Sequence, residues 1–144
     1  MGKILCATRG GEASYIAQDA VIALAKEQGD ELFFLYVADI SFLNQTAIPL
    51  VVNVESRLEK LGHFQLVMAQ ERAAAQGIEA QAIVRIGQLR AELIDVAEEI
   101  GATLIVMGSS LGADAAFADS ALQAFSADLQ AVTGIEVRIL EKRD

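Results

Sequence analysis

Thr103-Leu104-Ile105-Val106-Met107-Gly108-Ser109-Ser110-Leu111-Gly112 carries the strongest fold signal in the chain. Leu104 to Met107 is apolar without interruption. A strand with one solvated face would alternate, so this pattern predicts a strand covered on both faces, as in a parallel sheet. Gly108 ends the run, and small residues follow: Ser109, Ser110, Gly112 and Ala113. In open α/β sheets, ligands sit at the carboxyl ends of the strands, where loops lead into helix N-termini. Small residues at that place let backbone N–H groups approach an anion. The loop after this strand is therefore a candidate phosphate cradle.

Outward from this strand, the chain alternates. Lys3 to Thr8 reads as a strand, Gly10-Gly11 as a turn, and Glu12 to Gln28 as a helix with Ile16, Ala20, Ala23 and Leu24 on one face. Gly29 is placed to stop that helix. Glu31 to Val37 predicts a second strand. Ser41 to Leu50 holds the sole proline and no clean period, so it reads as a loop or a short helical excursion. Val51, Val54, Leu58, Leu61, Phe64 and Met68 then follow a helical repeat to about Gln76, closed by Gly77. Ile78 to Ile86 predicts a third strand. Leu89, Leu93, Val96, Ala97 and Ile100 form a helical stripe closed by Gly101. A last helix is expected from about Ala118 to Val132, and a fifth strand over Ile135 to Leu140. Such alternation implies a parallel sheet with helices on both faces and right-handed crossovers. No linker, charge block or internal repeat divides the chain, so a single domain spanning 1–144 is expected.

Composition narrows the function. The 144 residues carry 20 acidic and 11 basic side chains, a net charge of −9. That balance argues against nucleic acid and anionic membrane surfaces as partners. It also gives nucleotides no long-range attraction, so a phosphate site would need local donors. No apolar run approaches the ~20 residues of a membrane span, and Lys3 is followed at once by a short strand-like run rather than a signal sequence. A cytoplasmic location is expected. Cys6 and His63 are each the only residue of their type. Cys6 lies in an apolar strand and reads as an inert buried thiol. His63 reads as a partly exposed helix residue, and a metal site is not expected.

Three stretches resemble the universal stress protein family. Ile4-Leu5-Cys6-Ala7-Thr8-Arg9-Gly10-Gly11-Glu12-Ala13-Ser14 resembles its opening strand and turn, and Glu31-Leu32-Phe33-Phe34-Leu35-Tyr36-Val37 its second strand. Gly87 to Gly108 carries the same order of glycine, helix ending Ala97-Glu98-Glu99-Ile100-Gly101-Ala102, strand and glycine. The resemblance spans nearly the whole chain. It implies an open parallel five-stranded sheet in the order 3-2-1-4-5, Rossmann-like and of the adenine nucleotide alpha hydrolase type. It implies homodimers, often through the last strand, here 135–140. It further implies that some members bind ATP or AMP and others have lost the site.

Carried onto this chain, the resemblance marks Ala7, Thr8, Arg9, Val37, Gly108, Ser109, Ser110, Gly112 and Ser120 as the candidate nucleotide site. Backbone groups at Val37 and Ala38 would meet the adenine. The chain departs from the ATP-binding pattern in three places. Arg9 stands where an acidic residue is usual. Leu111 stands where the phosphate loop's second glycine is expected, with Gly112 one residue late. The loop's closing pair falls on Ala121 and Leu122, and Asp119-Ser120 would fit only a shorter loop. No nucleophile with its base and no paired carboxylates appear, so the reading is a non-enzymatic, dimeric stress-response module whose nucleotide site is altered or lost. An ATP- or AMP-binding switch using the 108–120 loop is the alternative. A slow ATP hydrolase, with only Asp114 and Asp119 near to hold a metal, is a third.

Overall fold

The computed structural model describes residues 2–8, 12–38, 48–108 and 119–140. They form β1 (Lys3–Ala7), α1 (Glu12–Gln28), β2 (Glu31–Ala38), α2 (Ile48–Ala75), β3 (Ala80–Ile86), α3 (Leu89–Ile100), β4 (Leu104–Gly108), α4 (Asp119–Thr133) and β5 (Glu136–Leu140). The strands make one sheet in the order β3-β2-β1-β4-β5, and every pairing is parallel. The expected fold class and strand order are both observed. Boundaries differ from the expected ones by a residue or two, except that α2 begins at Ile48 and so takes in Pro49. Proline is tolerated there because the first-turn N–H groups have no partner within the helix.

Two apolar layers flank the sheet. Ile4, Cys6, Leu32, Phe34, Leu104 and Val106 point to one side, against Val21, Ile22 and Ala25 of α1 and Leu66, Ala69 and Ala73 of α2. Leu5, Ala7, Phe33, Leu35, Ile105 and Met107 point to the other, against Leu93, Val96 and Ala97 of α3 and Leu129 of α4. Alternate residues of β1 and β4 feed alternate layers, which is why neither strand alternates apolar with polar along its buried length. Each fully buried large side chain, such as Phe34 or Ile105, contributes roughly 1.5–3 kcal/mol. Gly101 closes α3 in the left-handed conformation at φ 72°, and Gly29 follows α1 at φ 70°. Gly77 follows α2 at φ 81°, so all three expected helix stops are met.

Two expected helix faces are corrected. In α1 the buried positions are Ala17, Gln18, Val21, Ile22 and Ala25, whereas of the expected face Ile16 is 39% exposed, Ala20 and Ala23 face solvent, and Leu24 alone packs against the core, half-buried. An alanine-rich helix offers more than one apolar stripe. The stripe with Ala17 and Ala25 beside Val21 and Ile22 is the one turned to the sheet. In α2 the buried face is Gly62, Leu66, Ala69 and Ala73, while Leu61 and Phe64 are exposed. The side chains of Val51, Val54 and Leu58 lie outside the described residues. The α3 stripe is turned inward as expected, with Leu93, Val96 and Ala97 buried.

Candidate functional site

The sheet changes winding direction at β1. The chain leaves β1 through α1 toward β2, and it leaves β4 through α4 toward β5, on the opposite side of the sheet. A crevice opens where such connections diverge, at the strands' carboxyl ends. Ala7 is level with Met107 of β4 and with Leu35 of β2, so Thr8 and Gly108 lie side by side at the mouth. Thr8 continues the ladder, its N–H donating to the Leu35 carbonyl at 2.9 Å. Val37, a half-buried residue, sits two positions further along β2. Ala7, Thr8, Val37 and Gly108 are thus brought together by strand register. Ser120 lies in the first turn of α4. Arg9, Ser109, Ser110 and Gly112 lie outside the described residues, as do the Gly10-Gly11 turn and Leu111.

Gln18, which periodicity missed, is buried beneath the candidate site. It is 1% exposed and its Nε2 donates to Thr8 Oγ1 at 2.9 Å. Its Oε1 is buried without a hydrogen-bond partner. The Thr8 hydroxyl can donate or accept, so the contact stands whichever way the amide is turned, and one amide end is left unpaired. The clue available beforehand was an amide at position 18 within the i, i+4 series Ala17, Val21, Ile22, Ala25. That series is hidden by the competing stripe through Ile16 and Ala20.

Other polar groups serve the scaffold. Arg72 Nη2 reaches both carboxylate oxygens of Asp19, at 2.6 and 2.7 Å, while its guanidinium stacks on Tyr15 at 4.2 Å, which ties α2 to α1. Arg90 of α3 pairs with Asp128 of α4 at 2.6 Å, and this hydrogen bond holds the Asp128 carboxyl below the usual carboxylate range. A cleft of about 440 Å³ lies between α1 and α2, lined by Asp19, Ile22, Ala23, Lys26, Glu27 and Gln76. It sits toward the helices' C-terminal halves, at the end of the sheet away from the crevice. Cys6 is buried in the core, and burial pushes its thiol up to about 12. A protonated thiol at neutral pH is a poor nucleophile, in keeping with the inert role expected of it. His63 is exposed on α2, as expected. Among the described residues, no group of three or more His, Cys, Asp or Glu side chains could hold a metal, and no helix is long and apolar enough to cross a membrane.

The sequence model of the universal stress protein family matches residues 1–113. Universal stress protein YxiE of Bacillus subtilis (strain 168) is 33% identical over 115 residues, covering 74% of this chain and 78% of that relative. A universal stress protein family structure from Burkholderia pseudomallei superposes with a TM-score of 0.71 at 23% identity, over 96% of this chain and 95% of that one. A family protein of Arabidopsis thaliana solved with AMP bound superposes with a TM-score of 0.68 at 10% identity, over 99% of this chain and 93% of that one. The match over 1–113 takes in β1 and β4, whose ends form the crevice. The chain belongs to the universal stress protein family.

Proposed function

We propose that this protein is a non-catalytic, dimeric stress-response module that works by binding, with a nucleotide crevice altered from the ATP-binding form. The observation that carries this reading is the Thr8–Gln18 contact. Thr8, at the mouth of the crevice, is only 5% exposed, and its hydroxyl is already engaged by a core glutamine. The sequence departures at Arg9, Leu111 and Asp119 point the same way. Dimerisation through 135–140 is supported by β5 being a sheet edge whose residues alternate between half-buried and exposed. The location that fits is the cytoplasm, and neither nucleic acid nor membrane fits a net charge of −9.

Native mass spectrometry of freshly purified protein, followed by ATP and AMP titration, tests this. A dimer that carries no extra mass and stays empty on titration is the expected result. Co-purified nucleotide would overturn it in favour of the second reading, an ATP- or AMP-dependent switch. That reading is favoured by one specific observation, the AMP bound to the Arabidopsis protein of the same fold. Under it, Leu111→Gly with Asp119→Gly should strengthen nucleotide binding. Unchanged affinity would remove the 108–120 loop as the phosphate path.

A further inference from the structure

The apolar stripe of α2 that the core does not use has a pattern of its own. Phe64 is 60% exposed, Leu61 46% and Val67 48%, on the side of the helix opposite Gly62, Leu66, Ala69 and Ala73. At 100° per residue, Arg57, Lys60, Leu61, Phe64, Val67, Met68 and Glu71 all fall on this outer face. Arg57, Lys60 and Glu71 are exposed, and among the described residues none of them forms an ion pair within the chain.

The face is self-complementary in one orientation only. Phe64 is its midpoint. Leu61 lies three residues before it and Val67 three after, Lys60 four before and Met68 four after, Arg57 seven before and Glu71 seven after. A second copy of the helix, laid antiparallel across a two-fold axis through Phe64, sets Phe64 against Phe64 and Leu61 against Met68, which share one flank of the face. It sets the aliphatic stem of Lys60 along Val67 on the other flank and, near the centre line, the Arg57 guanidinium against the Glu71 carboxylate. A parallel copy would oppose like charge to like. A two-fold interface requires that each residue meet its counterpart reciprocally, and this spacing meets that condition.

We propose that the outer face of α2, from Arg57 to Glu71, is a self-association surface, on which a second copy of this chain docks antiparallel about Phe64. It is separate from the β5 edge. A protein using both would grow beyond a dimer. One helix pair falls below the roughly 1,200–2,000 Å² of a stable standard interface, so the association is weak and concentration-dependent.

Thiol cross-linking of the full chain tests it. Helices packed about 8–10 Å apart, with Cα atoms on a radius of about 2.3 Å, bring facing Cα atoms to roughly 3.4–5.4 Å, within reach of a disulfide. Phe64→Cys should therefore form a covalent dimer at least about tenfold faster than the exposed control Glu98→Cys, because docking raises the effective concentration of the paired thiols. The native Cys6 stays in place, since it is buried. Leu61→Cys and Met68→Cys should each link slowly alone and quickly when mixed. In the Phe64→Cys background, Arg57→Glu or Glu71→Arg should slow linking severalfold, and the two together should restore it. Equal rates for Phe64→Cys and Glu98→Cys would overturn the proposal, as would a double charge reversal that fails to recover. If the thiol introduced by Phe64→Cys is shielded from maleimide in a chain that does not cross-link, something other than a second copy covers the face, and the proposal is overturned too. None of these outcomes depends on nucleotide or on β5.

Discussion

At the scale of single residues, two buried polar groups have opposite consequences. Thr8 and Gln18 satisfy each other only in part, since Gln18 Oε1 has no partner. Removing the Thr8 hydroxyl leaves the buried Gln18 amide with less to bond to, so the two changes should not be additive. We expect Thr8→Val alone to cost about 1–3 kcal/mol, and Gln18→Met to cost less in the Thr8→Val background than in the parent. Urea denaturation of the two singles and the double measures this, and additive losses would mean the pair is not coupled. Cys6 behaves differently. Its folded thiol is held up to about 12 against an ordinary 9.0. Above pH ~9 the unfolded chain has lost this proton and the folded chain has kept it, so the unfolded state binds fewer protons and stability falls with rising pH. The contribution is present below the ordinary value and is lost at up to about 1.4 kcal/mol per pH unit through that window. The stability gap between the parent and Cys6→Ala should therefore narrow from about pH 8 to about pH 10.5. A constant gap would contradict the assigned burial.

Elements are where sequence and structure part company most. Strands were legible because Leu104 to Met107 and Ile4 to Ala7 are apolar at every position, which only a sheet covered on both faces tolerates. Helix α3 was legible because it has one stripe. Helices α1 and α2 have two each, and periodicity alone cannot choose between them. In α2 the choice follows from size: Gly62, Ala69 and Ala73 let the helix approach β2 closely. A Cβ at Gly62 would stand 2.7 Å from Tyr36 Cδ1 and 3.1 Å from Cε1. Alanine there gains about 1 kcal/mol of helix propensity, against an overpacking cost of about 1–3 kcal/mol. At 2.7 Å the ring must move, so the cost wins. Gly62→Ala should lower stability by about 1 kcal/mol, and in a Tyr36→Ala background the same change should be neutral or stabilising. Thermal unfolding of the four proteins reads both.

At the scale of the whole molecule, the sheet's edges are what a second copy would meet. β3 and β5 are the edge strands. Val137 N–H donates to Gln130 Oε1 at 3.2 Å, so it points away from β4. Because N–H direction alternates along a strand, Ile139 also faces outward. Gln130 thus occupies one outward donor of the edge that a second β5 would pair with. If the dimer forms through 135–140, Gln130→Ala should tighten it by freeing that donor. Ile139→Pro should weaken it, because it removes an outward donor while leaving the β4 ladder intact. Sedimentation over a concentration series distinguishes the two effects, and a dimer indifferent to both would not run through this edge. With a net charge of −9, added salt screens the mutual repulsion of like chains, which should favour association through the β5 edge, whereas at the α2 face it also screens the Arg57–Glu71 attraction.

Residue order alone was enough for the alternation of strands and helices, the doubly covered sheet and the family, because burial on both faces leaves uninterrupted apolar runs and glycines mark the helix ends. The family resemblance grouped Ala7, Thr8, Val37 and Gly108, and strand register sets them near one another at the carboxyl ends. Which stripe of α1 and α2 faces the sheet was settled by packing in three dimensions, because that depends on how closely each helix can approach rather than on hydrophobicity alone. For the same reason, packing was needed to place Gln18 beneath Thr8 and to leave Leu61, Phe64 and Val67 in solvent. An amide and an apolar stripe carry no direction until a neighbouring surface supplies one.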